Sequence, residues 1–104
     1  MTIPDPWVDL RPGDAATRAT RRFWADELVR EIWPRHPLFG SDWEVVAVRA
    51  PASDDVLLDL LDGRVALVHA TFNSRERPPW PTCRIVADHA ALSAAIKDLD
   101  DALG

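Results

Sequence analysis

Apolar residues recur every three or four positions in two segments of the chain, one in its first third and one at its end. In the first segment, Trp24, Leu28 and Ile32 are spaced by four residues, which indicates a helix with one apolar face. Asp14 is a suitable N-cap, and the prolines after residue 33 stop the pattern. The sequence therefore predicts a first helix from about residue 14 to residue 33.

The second periodic segment closes the chain. Leu92, Ile96, Leu99 and Leu103 are spaced by four, three and four residues, and Asp88 is placed to cap the helix that they predict. Several alanines between these leucines allow close packing, so we expect this C-terminal helix to lie on a sheet.

Runs rich in β-branched and aliphatic residues occupy the middle of the chain. Residues 43–50 predict an interior strand, because both faces of the run are largely apolar. Asp62-Gly63 separates two further β-rich runs and predicts a two-residue type I′ hairpin. Residues 82–86 predict a short last strand.

The predicted turn sets a register for the hairpin. Three cross-strand pairs follow from it, and their six side chains share one buried face while the other face is mixed: Leu60 opposite Val65, Leu58 opposite Leu67, and Val56 opposite His69.

These elements together predict an α+β fold. It comprises an N-terminal helix, a three- to four-stranded antiparallel meander with the Asp62-Gly63 hairpin, and a C-terminal helix packed on the sheet. Residues 1–13 contain Pro4, Pro6 and Pro12, which favour an extended N-terminal arm. Residues 14–104 are predicted to form a single domain.

Composition and charge narrow the classes of function. The chain has 104 residues, of which 47% are apolar, so it can bury a core without a disulfide. Its single cysteine and the absence of a signal-peptide pattern predict a cytoplasmic protein. The formal net charge of −5 argues against binding to nucleic acid or to anionic membranes. Arg18, Arg21 and Arg22 are interpreted as a solvated face, paired with the acidic residues that follow them.

Motifs for common chemistries are missing from the sequence. It contains no glycine-rich phosphate loop, no paired-cysteine zinc motif and no nucleophile elbow. We therefore predict no catalytic residue, no cofactor and no metal site, and a non-enzymatic role is favoured. Cys83 lies within a predicted strand and is interpreted as an unreactive thiol.

A possible ligand site is centred on His69. The hairpin brings Asp54 or Asp55 close to His69, and His36 in the loop that follows the first helix is a further candidate. The alternative is that these histidines are structural and bind a carboxylate or a backbone group.

Two other groups of residues are candidates for protein binding. Trp80 lies in a proline-rich loop with Arg75 and Arg77, and tryptophan with arginine is enriched at binding hot spots; alternatively, Trp80 covers the sheet edge. At the end of the last helix, three aspartates oppose the helix macrodipole and would favour a basic partner: Asp98, Asp100 and Asp101.

Three stretches carry a resemblance to other proteins. HPLFG, DDVLLDL and VHATF, the last followed by a proline-rich loop, resemble the HPL-x-G, DDVLF and VHLTW stretches of a group of short bacterial proteins of unassigned function. The resemblance covers roughly residues 24–86. Leu58, Ala70 and Phe72 replace phenylalanine, leucine and tryptophan of that pattern. It implies a bacterial origin and a shared fold, but no activity.

Three functional hypotheses follow. The leading one is a small acidic protein-binding module of the inhibitor or immunity type that binds a basic partner. The second is a small enzyme or ligand-binding domain that uses His69 with Asp54 or Asp55. The third is a structural homodimer.

Overall fold

The fold is α+β, as predicted. The computed structural model describes residue 3 and residues 7–32, 34–49, 54–71 and 82–103, with the backbone alone at residues 89, 100, 102 and 103. The described elements, in chain order, are β1 (Trp7–Asp9), α1 (Ala15–Glu31), β2 (Glu44–Arg49), β3 (Asp55–Asp59), β4 (Val65–His69), β5 (Thr82–Val86), a 3-10 turn (His89–Ala91) and α2 (Leu92–Leu103).

The sheet has five strands within these residues, one more than the prediction allowed. They are antiparallel neighbours in the order β1-β2-β3-β4-β5. The additional strand, β1, comes from the predicted arm and pairs with β2, with Val8 opposite Val48. Trp7 is buried, and its burial fixes the arm to the sheet.

Asp14 caps α1 as predicted, and Asp88 caps the 3-10 turn that leads into α2. The Asp14 side chain accepts a hydrogen bond of 2.9 Å from the Thr17 N–H, and Asp88 accepts one of 2.9 Å from the Ala91 N–H ahead of α2. The first helix ends at Glu31, two residues before the predicted boundary. Neither of the helices in the described part of the chain is long and apolar enough to cross a membrane.

The predicted hairpin register is wrong by one residue. The Leu60 N–H donates to the Arg64 carbonyl at 3.0 Å, so the loop has three residues, from Leu61 to Gly63, instead of two. Leu61 adopts a φ of 64°, a region that leucine rarely enters. The Asp59 carboxylate stabilises it by accepting from the Leu61 N–H at 2.8 Å.

This shift of one residue divides the predicted aliphatic row between the two faces of the sheet. Both faces of β3 and β4 are buried, one by each helix, so the expected mixed surface is absent from these two strands. The α1-side cluster contains Leu10, Leu28, Leu38, Val45, Val48, Val56, Leu58, Leu60, Ala66, Val68 and Ala70. The α2-side cluster contains Trp7, Val46, Ala47, Leu57, Val65, Leu67, Val86, Leu92, Ala95 and Ile96. The protein is therefore a sandwich of helix, sheet and helix.

A bulge in β2 places two consecutive residues in the same one of these two clusters. Val45 lies opposite Leu58 and Ala47 lies opposite Leu57, so Val46 is an extra residue in the pairing. Val46 and Ala47 consequently both join the α2-side cluster. The interior position predicted for this strand is confirmed, since β1 and β3 flank it.

Candidate functional site

A row of polar side chains crosses three neighbouring strands on the face of the sheet that α2 covers. Asp55 of β3 lies opposite His69 of β4, and His69 lies opposite Thr82 of β5. Residues in such a row point to the same side of the sheet. The row lies at the end of β4 and at the beginning of β3 and β5, where the apolar part of that face stops.

Asp55 and His69 are in direct contact. Nδ1 of His69 lies 3.1 Å from Oδ1 of Asp55. The Asp55 side chain is buried, whereas 43% of the His69 side chain is exposed. With the imidazole neutral, the carboxylate accepts the Nδ1 proton and leaves Nε2 as an acceptor. Nε2 makes no hydrogen bond within the described part of the chain, so it is available to accept a hydrogen bond, or a proton, from a bound molecule.

The pair lies in a cleft between the sheet and α2. The cleft has a volume of about 320 Å³ and is lined by Asp55, Leu67, His69, Thr82, Cys83, Arg84, Ala95, Asp98 and Leu99. Arg84 and Asp98 form an ion pair of 3.4 Å across it, and both side chains are more than half exposed. An ion pair so exposed stabilises little, so a ligand can displace it at small cost.

Cys83 contributes no nucleophile to this cleft. Burial raises the pKa of its thiol to about 11, so the unreactive thiol predominates at neutral pH. Its side chain packs against the α1-side cluster. The inert role of Cys83 stays a prediction, which this environment favours.

Two other predicted ligand-site residues lie elsewhere. The Asp54 carbonyl accepts a hydrogen bond of 2.9 Å from the Ala70 N–H, while its side chain is exposed. His36 is buried, and its Nδ1 accepts from the Leu38 N–H at 3.1 Å. His36 does not line the cleft, so the structure brings together His69 and Asp55 alone of the four predicted residues. Across the described residues, no group of three or more histidine, cysteine or acidic side chains is arranged to hold a metal ion.

The residues predicted to bind protein are only partly described. Trp80, Arg75 and Arg77 lie outside the described residues, as does the side chain of Asp100. Asp98 forms the ion pair with Arg84, and Asp101 is exposed.

Sequence reasoning missed Thr82 and Arg84 as lining residues of the cleft. Both belong to the short strand β5, whose bounds were predicted correctly. Their spacing of two residues was the available signal, because alternate residues of a strand face the same side. The side itself depended on the hairpin register, which was predicted incorrectly.

Glu27 and Glu31 are two of the acidic residues that follow the arginines on α1, and neither is exposed to solvent. Both carboxyl groups are buried, one helical turn apart on α1. Glu27 forms an ion pair with Arg30, and its second oxygen, Oε2, is buried without a hydrogen-bond partner in the described part of the chain. Burial raises the pKa of Glu27, and the neighbouring Glu31 carboxyl raises it further.

This raised pKa predicts that the variant Glu27→Gln is more stable than the native chain at neutral pH. The folded protein holds the Glu27 proton more tightly than the unfolded chain, so the free energy of unfolding falls as pH rises above the ordinary value of 4.5. A glutamine carries no charge there, and we expect a gain of about 1 kcal/mol near neutrality. Thermal unfolding as a function of pH measures it.

The gain should vanish below pH 4.5, where Glu27 is protonated in both states. The variant Asp26→Asn is the matched control, since it removes one carboxylate charge from the same helix at a largely exposed position and should change stability by less than about 1 kcal/mol. A Glu27→Gln protein that is less stable at neutral pH would show that the ion pair outweighs the cost of burying the charge.

Comparison with protein-family models, with curated proteins and with solved structures gives no match to this chain. The resemblance to the short bacterial proteins therefore stays a prediction, and any function has to be argued from the residues of the cleft.

Proposed function

We propose that this protein is a ligand-binding domain that holds a small polar molecule in the cleft between its sheet and α2. The observation that carries the proposal is the 3.1 Å contact between His69 and Asp55 inside a cleft of about 320 Å³. The ligand donates a hydrogen bond from a hydroxyl or amine group to Nε2 of His69.

The buried carboxylate prepares His69 for this role. A histidine whose Nδ1 proton is held by a carboxylate has a fixed tautomer and ring orientation, so less entropy is lost when a ligand binds. The His69 side chain is about half exposed, so a ligand can reach the imidazole ring. A histidine with a purely structural role could pair with the same carboxylate in the absence of a cleft. The cleft beside His69 therefore favours a binding role.

The walls of the cleft indicate the size and chemistry of the ligand. The volume lies at the lower end of the range of ligand pockets, which is about 300–1,000 Å³. Leu67, Ala95 and Leu99 offer apolar surface for a short carbon skeleton. The Thr82 hydroxyl, beside His69 in the row, offers a second polar contact.

The variant His69→Gln tests the proposal. A set of small alcohols, polyols and amines is titrated into the native protein, and backbone amide signals are followed by NMR. We expect bound compounds to shift the amides of Leu67, Thr82 and Leu99. In His69→Gln, whose amide side chain cannot reproduce the Nε2 acceptor at the same place, we expect at least a tenfold loss of affinity.

Arg64→Gln is the matched control, because Arg64 is exposed on the hairpin loop and pairs with Asp62. It should bind the same compounds as the native protein. Shifts that map to other surfaces, or that persist unchanged in a folded His69→Gln protein, would contradict the proposal and leave His69 a structural residue.

The protein-binding hypothesis remains a second proposal. Asp98 stands at the same cleft, Asp101 is exposed, and no basic residue occupies the last turn of α2. Carboxylates there oppose the macrodipole, so a basic partner at this end of α2 would be stabilising. The homodimer hypothesis also stays a prediction.

A further inference from the structure

A second cleft lies on the opposite side of the sheet, between α1 and the beginning of β2. Its volume is about 390 Å³, and it is lined by Arg18, Arg21, Arg22, Ala25, Trp43, Glu44 and Val45. The helical residues are spaced by three, one and three positions, which places them on one face of α1. Three guanidinium groups and an indole thus surround one hollow.

This cleft is positively charged, although the protein as a whole is negatively charged. Glu44 is the one carboxylate among the described lining residues, while the chain carries a formal net charge of −5. Arg18 also lies close to the positive N-terminal end of α1, which begins at Ala15. The cleft is therefore a local attractor for anions on an acidic protein.

The arginines are little engaged by the protein itself. Arg22 has its nearest carboxylate, that of Asp26, at 3.9 Å, and both side chains are largely exposed. Arg18 makes no side-chain hydrogen bond or ion pair within the described residues. Arg21 is held in place by a 3.0 Å hydrogen bond from Nη1 to the Leu10 carbonyl. One guanidinium is thus positioned by the fold, a second has no side-chain partner among the described residues, and the third has only a long, exposed ion pair that a ligand can replace.

We propose that this cleft binds a small organic phosphate, with its phosphoryl group on Arg18 and Arg22 and its flat organic part against Trp43. A phosphate monoester carries more charge and more acceptor oxygens than a carboxylate, and it can accept hydrogen bonds from two guanidinium groups at once. Trp43 is partly buried in the α1-side cluster, so the fold holds the indole beside the arginines. The site lies across the sheet from His69 and is independent of the ligand proposed there.

The extent of the positive surface favours a small molecule over a polymer. The three arginines occupy less than two turns of α1, and residues 82–104 carry four acidic but only two basic side chains. A nucleic acid would need a longer basic track to hold several phosphates. One hollow of this size instead matches a single ligand.

Adenosine monophosphate is the probe that tests the proposal. It is titrated at low salt while the indole N–H signal of Trp43, assigned with the variant Trp43→Phe, is followed by NMR. We expect this signal and the amides around Arg18 to shift together. We expect Arg18→Gln and Arg22→Gln each to weaken binding by about tenfold or more, as for the loss of one charge-assisted contact.

Arg64→Gln removes an equal charge from the hairpin loop and should leave binding unchanged. Four results would overturn the proposal. The first is no shift at millimolar adenosine monophosphate. The second is equal binding in Arg18→Gln, Arg22→Gln and Arg64→Gln. The third is inorganic phosphate that binds as tightly while the Trp43 signal stays still, which would leave an anion site without the organic part. The fourth is an acidic peptide that binds where adenosine monophosphate does not.

Discussion

Leu57→Ala and Leu58→Ala are each expected to lower the free energy of unfolding by about 2–5 kcal/mol. The two residues are neighbours in β3, and neither side chain is exposed to solvent. Leu58 packs in the α1-side cluster and Leu57 in the α2-side cluster. Truncating either leaves a cavity between the sheet and one helix, so equal costs are the signature of a sheet buried on both faces.

Chemical denaturation of the two variants measures these costs. Val29→Ala is the control, because 66% of Val29 is exposed on α1 and its truncation should change stability by at most about 0.5 kcal/mol. If Leu57→Ala lowers the free energy of unfolding as little as Val29→Ala does, then α2 does not cover its face of the sheet. In that case α2 does not form a wall of the cleft around His69.

The same pair of residues shows where sequence reasoning fails. The predicted hairpin put Leu58 on the buried face and Leu57 on a mixed surface, because the Asp62-Gly63 pattern favours a two-residue turn. The true loop also includes Leu61, whose left-handed backbone is stabilised by the Asp59 carboxylate. No apolar pattern signals a leucine in that conformation, and a single additional loop residue reverses the faces of a whole strand.

Elements with strong local signals were predicted well. Asp14 located the beginning of α1, and Asp88 located the beginning of the 3-10 turn that leads into α2, since a cap is a property of a few adjacent residues. Strand β1 was missed because three residues between prolines carry no periodicity. Its pairing with β2 depends on tertiary contacts such as the burial of Trp7.

The candidate site was predictable only in part for the same reason. Proximity of His69 to Asp54 or Asp55 followed from the existence of a hairpin, whatever its register. The corrected hairpin register selected Asp55, and the pairing of β4 with β5 placed Thr82 beside His69. The cleft itself needs α2 above the sheet, and no local pattern determines where a helix lies across a sheet.

Glu31→Ala is expected to lower the free energy of unfolding by about 2–4 kcal/mol, the largest polar contribution that we predict. Glu31 is fully buried at the last position of α1, where a negative charge opposes the macrodipole. Its Oε1 accepts hydrogen bonds from the Thr71 N–H at 2.7 Å and from the Thr71 hydroxyl at 2.9 Å. The carboxylate therefore ties the end of α1 to the residues that follow β4.

Two further variants separate this bond from simple loss of volume. Glu31→Gln keeps a carbonyl oxygen that can accept from both Thr71 donors, so we expect a smaller cost, about 1 kcal/mol. Thr71→Val removes the hydroxyl and keeps the N–H, and should cost about 1 kcal/mol as well. Denaturant midpoints give the ranking, and hydrogen exchange at the Thr71 amide reports the bond itself.

Glu31→Ala should accelerate that exchange at Thr71 more than at amides in the centre of β3, because the acceptor is lost locally while the sheet remains paired. Uniform acceleration across the sheet would mean that the variant acts through global stability alone. A cost below about 0.5 kcal/mol would show that the bond to Thr71 no more than balances the cost of burying the carboxylate. In that case the end of α1 is held by its apolar contacts, with Leu28 at their centre.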